Sequence, residues 1–370
     1  VKHKLSRTMG AAAALILLCL PAAAEVAVWS PNPLTGLFKG GDYAGMNDPS
    51  AAVRIHGALN GEFSGMVAVY SKEPVKLEPV APVELKLQDG DAMIPASAMR
   101  IEYALPTGGE KGKKGRRFDG LRPEPSANDA THAAWITVKV PSDAKPGTYA
   151  GTLTVAGRQV PVTLTVAAWK LPDPKDFITH VGIVQSAESV ALQYGKKYWS
   201  DEHFELIGKT FDHLARVGNK VIIIPLICKT NMGHSESMVR WIEKDGKLTH
   251  DFTLAEKYLD LYLERVGKPL AVIFYIYEPF LGGGHGSKKE VLDQGSLVTK
   301  LDPEKGELSI MEGPCLNHPT TKYLNYPQQL EEFWKPVFEG LRERLKARGL
   351  GDEHFMLGLN PDMHPGKNTM

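Results

Sequence analysis

The chain has 370 residues, 43 basic and 43 acidic side chains and 43% apolar content, the make-up of an ordinary globular protein. With zero formal net charge it offers no overall field for nucleic acid or an anionic membrane, so a nucleic-acid partner is not expected. Its length predicts two domains with ample core-forming capacity.

At the N-terminus, Lys2, Lys4 and Arg7 precede the apolar run 11–20, and Ala22, Ala23 and Ala24 supply small residues for a signal peptidase. Residues 1–24 therefore read as a signal peptide cut after Ala24, which implies export to the periplasm or the exterior. The run falls well short of the roughly twenty residues needed to cross a bilayer, so no membrane span is expected. Leu18 stands before Cys19 where a lipobox needs a small residue. Cys228 and Cys315 remain after cleavage, and an oxidising compartment would permit their pairing. The position of Cys228 at the end of an apolar run favours two buried thiols.

Residues 25–168 carry strand and turn signals with no helical period, and read as an all-β sandwich. Ile136, Val138 and Val140 alternate with Thr137 and Lys139, and Val162, Leu164 and Val166 alternate with threonines, as half-buried strands do. Residues 108–117 hold Lys111, Lys113, Lys114, Arg116 and Arg117 among glycines. That pattern reads as a solvated loop, with an anionic-glycan contact as the alternative. Residues 169–177, with Pro172 and Pro174, form the expected linker, because proline removes backbone donors and biases its neighbours toward extended conformations.

Beyond the linker the period changes. Residues 180–184 are a short apolar strand, and Phe204, Ile207, Phe211, Leu214 and Val217 repeat at helical spacing. The nearly uninterrupted apolar run 221–227 suits a parallel strand buried on both faces. A helix over 254–266, a strand over 271–277, a helix over 330–347 and a strand over 355–359 follow. Alternating strands and helices predict an α/β domain over 178–370, a (β/α) barrel that is incomplete at the C-terminus, since a full barrel takes about 250 residues. A doubly wound sheet is the competing fold, though no glycine-rich dinucleotide fingerprint follows the first strand.

Polar groups fall after the strands, where such domains keep their sites. Glu278 follows Tyr277 at the end of the third strand, Asn231 and His234 follow the second, and His285 lies in a glycine run over 282–286. Asn360 and Asp362 follow the fourth strand, and His318 sits in a long insertion over 287–326. The histidines match no zinc spacing, and the glycine run lacks the Lys-Ser/Thr ending of a phosphate loop, so neither metal nor cofactor is expected.

The run Val140-Pro141-Ser142-Asp143-Ala144-Lys145-Pro146-Gly147-Thr148-Tyr149-Ala150-Gly151-Thr152-Leu153 resembles the N-terminal sandwich of glycoside hydrolase family 123 and its uncharacterised relatives. The residues from Trp241 to Leu248, then Asp251-Phe252, and the segment from Phe333-Trp334 to Gly349-Leu350 resemble the barrel half of that family. The resemblance implies exo-cleavage of N-acetyl-β-galactosaminides by substrate assistance, with the acetamido oxygen of the sugar attacking its own anomeric carbon. It also implies an Asp-Glu pair at a strand end, the Glu as acid and the Asp as orienter of the acetamido group. The counterpart after the 330–347 helix reads Leu359-Asn360, which supplies neither acid, with Asp362 two residues beyond. Tyr277-Glu278 is the second candidate, Glu278 serving as acid and Tyr277 as orienter. Asn231, His234, His285 and Asn360 are then candidate sugar contacts. Two readings stand, a carbohydrate-active hydrolase taking a glycan substrate or a non-catalytic glycan-binding relative, divided by whether Glu278 has a second carboxylate within about 5 to 10 Å.

Overall fold

A computed structural model describes residues 26–34, 36–108, 117–230, 232–277, 295–315 and 326–359. The chain divides between Pro172 and Asp173 into two compact units.

The first unit contains β1 (Val26–Trp29), β2 (Val53–Leu59), β3 (Glu62–Val75), β4 (Leu85–Leu87), β5 (Met93–Ile94), β6 (Met99–Gly108), β7 (Arg117–Arg122), β8 (Asp129–Lys139), β9 (Gly147–Val155) and β10 (Arg158–Lys170). They form two five-stranded sheets, ordered β1-β3-β8-β6-β7 and β2-β10-β9-β4-β5. Alternation does what the sequence promises. Val67, Val69, Ile136 and Val138 of the first sheet pack on Ile55, Leu153, Val162 and Leu164 of the second in one buried core, the sheet-on-sheet arrangement of a sandwich. Ala156 and Gly157 join β9 to β10 with φ of 48° and 77°, the positive pair that a tight hairpin turn requires. A smaller cluster, including Trp29, Met66, Ala68 and Ala133, builds on the other face of the first sheet under Leu37 and Tyr43.

The second unit contains α1 (Ala187–Tyr194), α2 (Asp201–Arg216), β11 (Val221–Pro225), β12 (Arg240–Lys244), β13 (Lys247–Asp251), α3 (Thr253–Arg265), β14 (Ala271–Tyr277), β15 (Ser296–Leu301), β16 (Leu308–Gly313), α4 (Tyr326–Ala347) and β17 (Phe355–Leu359). Helix α2 starts where Ser200 accepts a hydrogen bond from the His203 N–H and buries Phe204, Ile207, Phe211 and Leu214. Strands β11, β14 and β17 form a parallel sheet in that order, and helices α2, α3 and α4 share its core. From this parallel layer both barrels and open sheets are built. Residues 180–184 contribute a single parallel bridge, Val181 to Asn219, instead of a full strand.

The insertion over 287–326 is not wholly irregular. β15 and β16 pair as a hairpin and join β12 and β13 in a four-stranded sheet, β13-β12-β15-β16. The absent side chain of Gly313 lets α4 approach, because a Cβ there would lie 2.3 Å from the Phe333 ring. Phe333 in turn stacks on Trp241 of β12 at 5.5 Å. No helix among the described residues is long and apolar enough to cross a membrane. The basic loop residues 111–116 lie outside the described residues.

Candidate functional site

The three strands run parallel, Pro225 opposite Tyr275 and, past an irregularity between Tyr275 and Tyr277, Tyr277 opposite Leu359, so their C-terminal ends share one edge. In α/β sheets that edge carries the ligand site. It receives the loop after β11, the end of β14 at Tyr277 and the end of β17 at Leu359. Glu278, Asn231, His285, Asn360, Asp362 and His318 lie outside the described residues, as does the side chain of Tyr277.

His234 is described, and it is buried at 4% exposure. Its Nδ1 pairs with the Thr230 hydroxyl at 2.8 Å, and its ring meets Tyr275 edge-on at 5.7 Å. Burial pulls the imidazole down to about 4, so the ring is neutral at physiological pH. The structure therefore places His234 inside the wall of the loop, braced against β14.

The loop itself is tightly held. The Leu226 N–H donates to the Tyr275 carbonyl at 2.9 Å, the Cys228 N–H to Leu297 at 2.8 Å and the Lys229 N–H to His234 at 2.6 Å. Ser237 and Thr299 exchange hydrogen bonds, each backbone N–H meeting the other's hydroxyl at 2.8 and 2.9 Å. Glu188, in the first turn of α1 and 1% exposed, accepts from the backbone N–H groups of Ser235 and Glu236, the latter at 3.0 Å. Glu236 accepts from the Trp199 indole at 2.8 Å and from the buried Arg240 guanidinium, which also donates to the Ser237 carbonyl. Burial raises the Glu188 carboxyl above its ordinary value, with the two backbone donors opposing it. Cys228 and Cys315 are buried thiols not joined by a disulfide, and burial pushes Cys228 up to about 11.

None of Glu188, Trp199, Glu236 and Arg240 stands out in the sequence. Only the four-residue spacing of Glu236 and Arg240 hints at a pair. Among the described residues no cluster of His, Cys, Asp and Glu is arranged to hold a metal. A concavity in the first unit, floored by Met66 and Trp135, has one acid in its lining, Asp119, which accepts from the Thr107 hydroxyl. One acid falls short of the pair that carboxylate-driven hydrolysis of a glycoside ordinarily uses.

Residues 185–365 match the glycoside hydrolase 123 catalytic domain. The second unit belongs to glycoside hydrolase family 123. The matched segment begins three residues before Glu188 and takes in both strand-end pairs, Tyr277-Glu278 and Leu359-Asn360. A family 123 glycoside hydrolase from Clostridium perfringens, solved to detail glycolipid glycan hydrolysis, superposes with a TM-score of 0.69 at 14% identity, over 90% of this chain. This chain spans 57% of the length of that structure, and the likeness is one of fold. An amylomaltase from Corynebacterium glutamicum matches 49% of this chain and 21% of its own at 15% identity, with a TM-score of 0.18 that carries no argument. No curated protein matches the chain. The family 123 assignment therefore rests on the domain match.

Proposed function

We propose that the chain, once exported and trimmed after Ala24, is a glycoside hydrolase that removes terminal N-acetyl-β-hexosaminides, with N-acetyl-β-galactosaminides as the preferred class. The observation that carries this reading is the family 123 match over 185–365, which spans the three parallel strands and their shared C-terminal edge. The order of Val181, β11, β14 and β17 across the sheet follows the order of the chain. Sequential winding of this kind supports a (β/α) barrel over a doubly wound sheet, whose strand order reverses.

In this reading the acetamido oxygen attacks the anomeric carbon. The glycosidic C–O bond breaks, and its electron pair goes to the leaving oxygen as that oxygen takes the proton of Glu278. Water then opens the cyclic intermediate with Glu278 as base. Tyr277 orients the acetamido group, Asp362 supplies the second carboxylate, and Asn231, His285 and Asn360 bind sugar hydroxyls. His234 shapes the loop that carries Asn231.

The test is turnover of aryl glycosides by residues 25–370. Release of aryl alcohol from the N-acetyl-β-galactosaminide is expected, with Glu278→Gln slower by about a hundredfold or more. The loss should shrink for dinitrophenyl leaving groups, which need no proton. Leu359-Asn360, at the position where the family pair is expected, favours the second reading, a glycan-binding relative. Sugar binding by folded protein without turnover of any glycoside would establish that reading instead.

A further inference from the structure

We propose that Glu188 is a positioning residue of the sugar site: its carboxylate ties the loop after β11, which carries the candidate sugar contact Asn231, to α1, while His234 of the same loop packs on β14. This rests on the hydrolase reading above.

Burying a carboxylate costs free energy unless its lone pairs are satisfied, and an apolar side chain could fill the same space at lower cost. At 1% exposure Glu188 is satisfied by two consecutive backbone N–H groups, those of Ser235 and Glu236. Those two residues directly follow His234, whose ring rests on Tyr275 two positions before Tyr277. One contact chain thus runs from α1 through the loop to Tyr275 of β14. The far side of the loop is held separately by the Ser237–Thr299 exchange and by Arg240 with Glu236. Releasing Glu188 should therefore loosen residues 232–235 while the end at 236–240 stays fixed.

Glutamine tests this with little change in volume. Its amide oxygen can accept one of the two N–H groups, but its NH2 would face the other, donor against donor. The experiment is steady-state kinetics of the full chain on an aryl N-acetyl-β-galactosaminide, paired with hydrogen–deuterium exchange. For Glu188→Gln the expected result is a KM raised about tenfold with kcat within about threefold. Faster exchange should appear in peptides covering 232–235, with the first unit unchanged. Glu188→Asp keeps the charge on a shorter stem and should give an intermediate KM, which covers the case of a glutamine variant that fails to fold. Faster loop exchange with unchanged KM would overturn the proposal, leaving Glu188 a stability residue. Unchanged exchange would overturn it as well. A wild-type chain that turns over no glycoside would remove the hydrolase reading itself and this role with it, and the exchange of Glu188→Gln would still show whether the carboxylate orders the loop.

Discussion

His234 and His250 are ring nitrogens held away from water, and each is lowered from 6.5 to about 4 by burial. The unfolded chain therefore takes up these protons at a pH where the folded unit refuses them. Stability from each ring is fully present above about pH 6.5 and is lost as pH falls toward 4. For His234, at 4% exposure, the shift amounts to about 3 kcal/mol at most; His250, less deeply buried, adds a smaller share. Glu188 acts in the opposite sense. Its raised carboxyl costs stability at neutral pH, and that cost is relieved as the pH falls through its folded value. Urea unfolding of the second unit at pH 7.5 and 4.5 should show a net loss on acidification. His250→Phe, which removes an Nε2 with no partner beside Trp241 and Phe252, should flatten the dependence. A pH-independent midpoint in the wild type would refute the assignment of neutral buried rings. At this scale the sequence is legible only where chemistry is local. Tyr277-Glu278 can be found because it ends an apolar strand, whereas Glu188 meets Ser235 and Glu236 across separations of 47 and 48 residues that no spacing rule spans.

Elements defined by long one-sided or two-sided apolar patterns were readable almost to the residue. β14 and β17 coincide with the apolar runs 271–277 and 355–359, α3 lies within a residue of its expected span, and α2 takes in Phe204, Ile207, Phe211 and Leu214 as their spacing predicts. β11 is shorter than the run 221–227, because after Pro225 the chain turns to make the loop, whose Met238 N–H returns to the Pro225 carbonyl at 2.8 Å. α1 was not anticipated, being eight residues with only a weak apolar stripe. β15 and β16 were hidden for another reason: Leu308 and Ile310 are exposed, so the strand's alternation does not point its apolar side chains at a core. That hairpin's sheet depends on Trp241, fully buried on β12 between Phe333 at 5.5 Å and Trp334 at 5.6 Å. Trp241→Ala should cost about 3 to 5 kcal/mol through the cavity it leaves between the sheet and α4. Trp241→Phe should cost much less, since the indole N–H has no hydrogen-bond partner to lose. Equilibrium denaturation of the two variants checks this, and equal losses would show that the N–H matters more than the ring.

The two units meet between Pro172 and Asp173, where the hydrophobic period changes from two in the sandwich to helical spacing beyond the prolines at 172 and 174. The strand order of the second unit is less legible, because the first expected strand supplies only the bridge at Val181 and pairing between strands depends on contacts far apart in sequence. Each unit closes its own core. Every residue of the sandwich cluster lies between Val28 and Val166, and every residue of the other large cluster lies at or beyond Ala187. Sheets that pack on each other within about 150 residues bury roughly 70% of the chain's surface, enough for independent stability. The fragment 26–172 is therefore expected to fold alone, with a β-type circular dichroism spectrum and one cooperative thermal transition. Its hydrogen-bonding supports this. Strand β10 is paired on both sides within the fragment, parallel to β2 and antiparallel to β9, and the Leu171 N–H closes the unit on the Leu59 carbonyl at 2.9 Å. A fragment that stays unfolded, or melts without cooperativity, would mean that the sandwich core, complete as its side-chain packing is, draws its stability from the second unit.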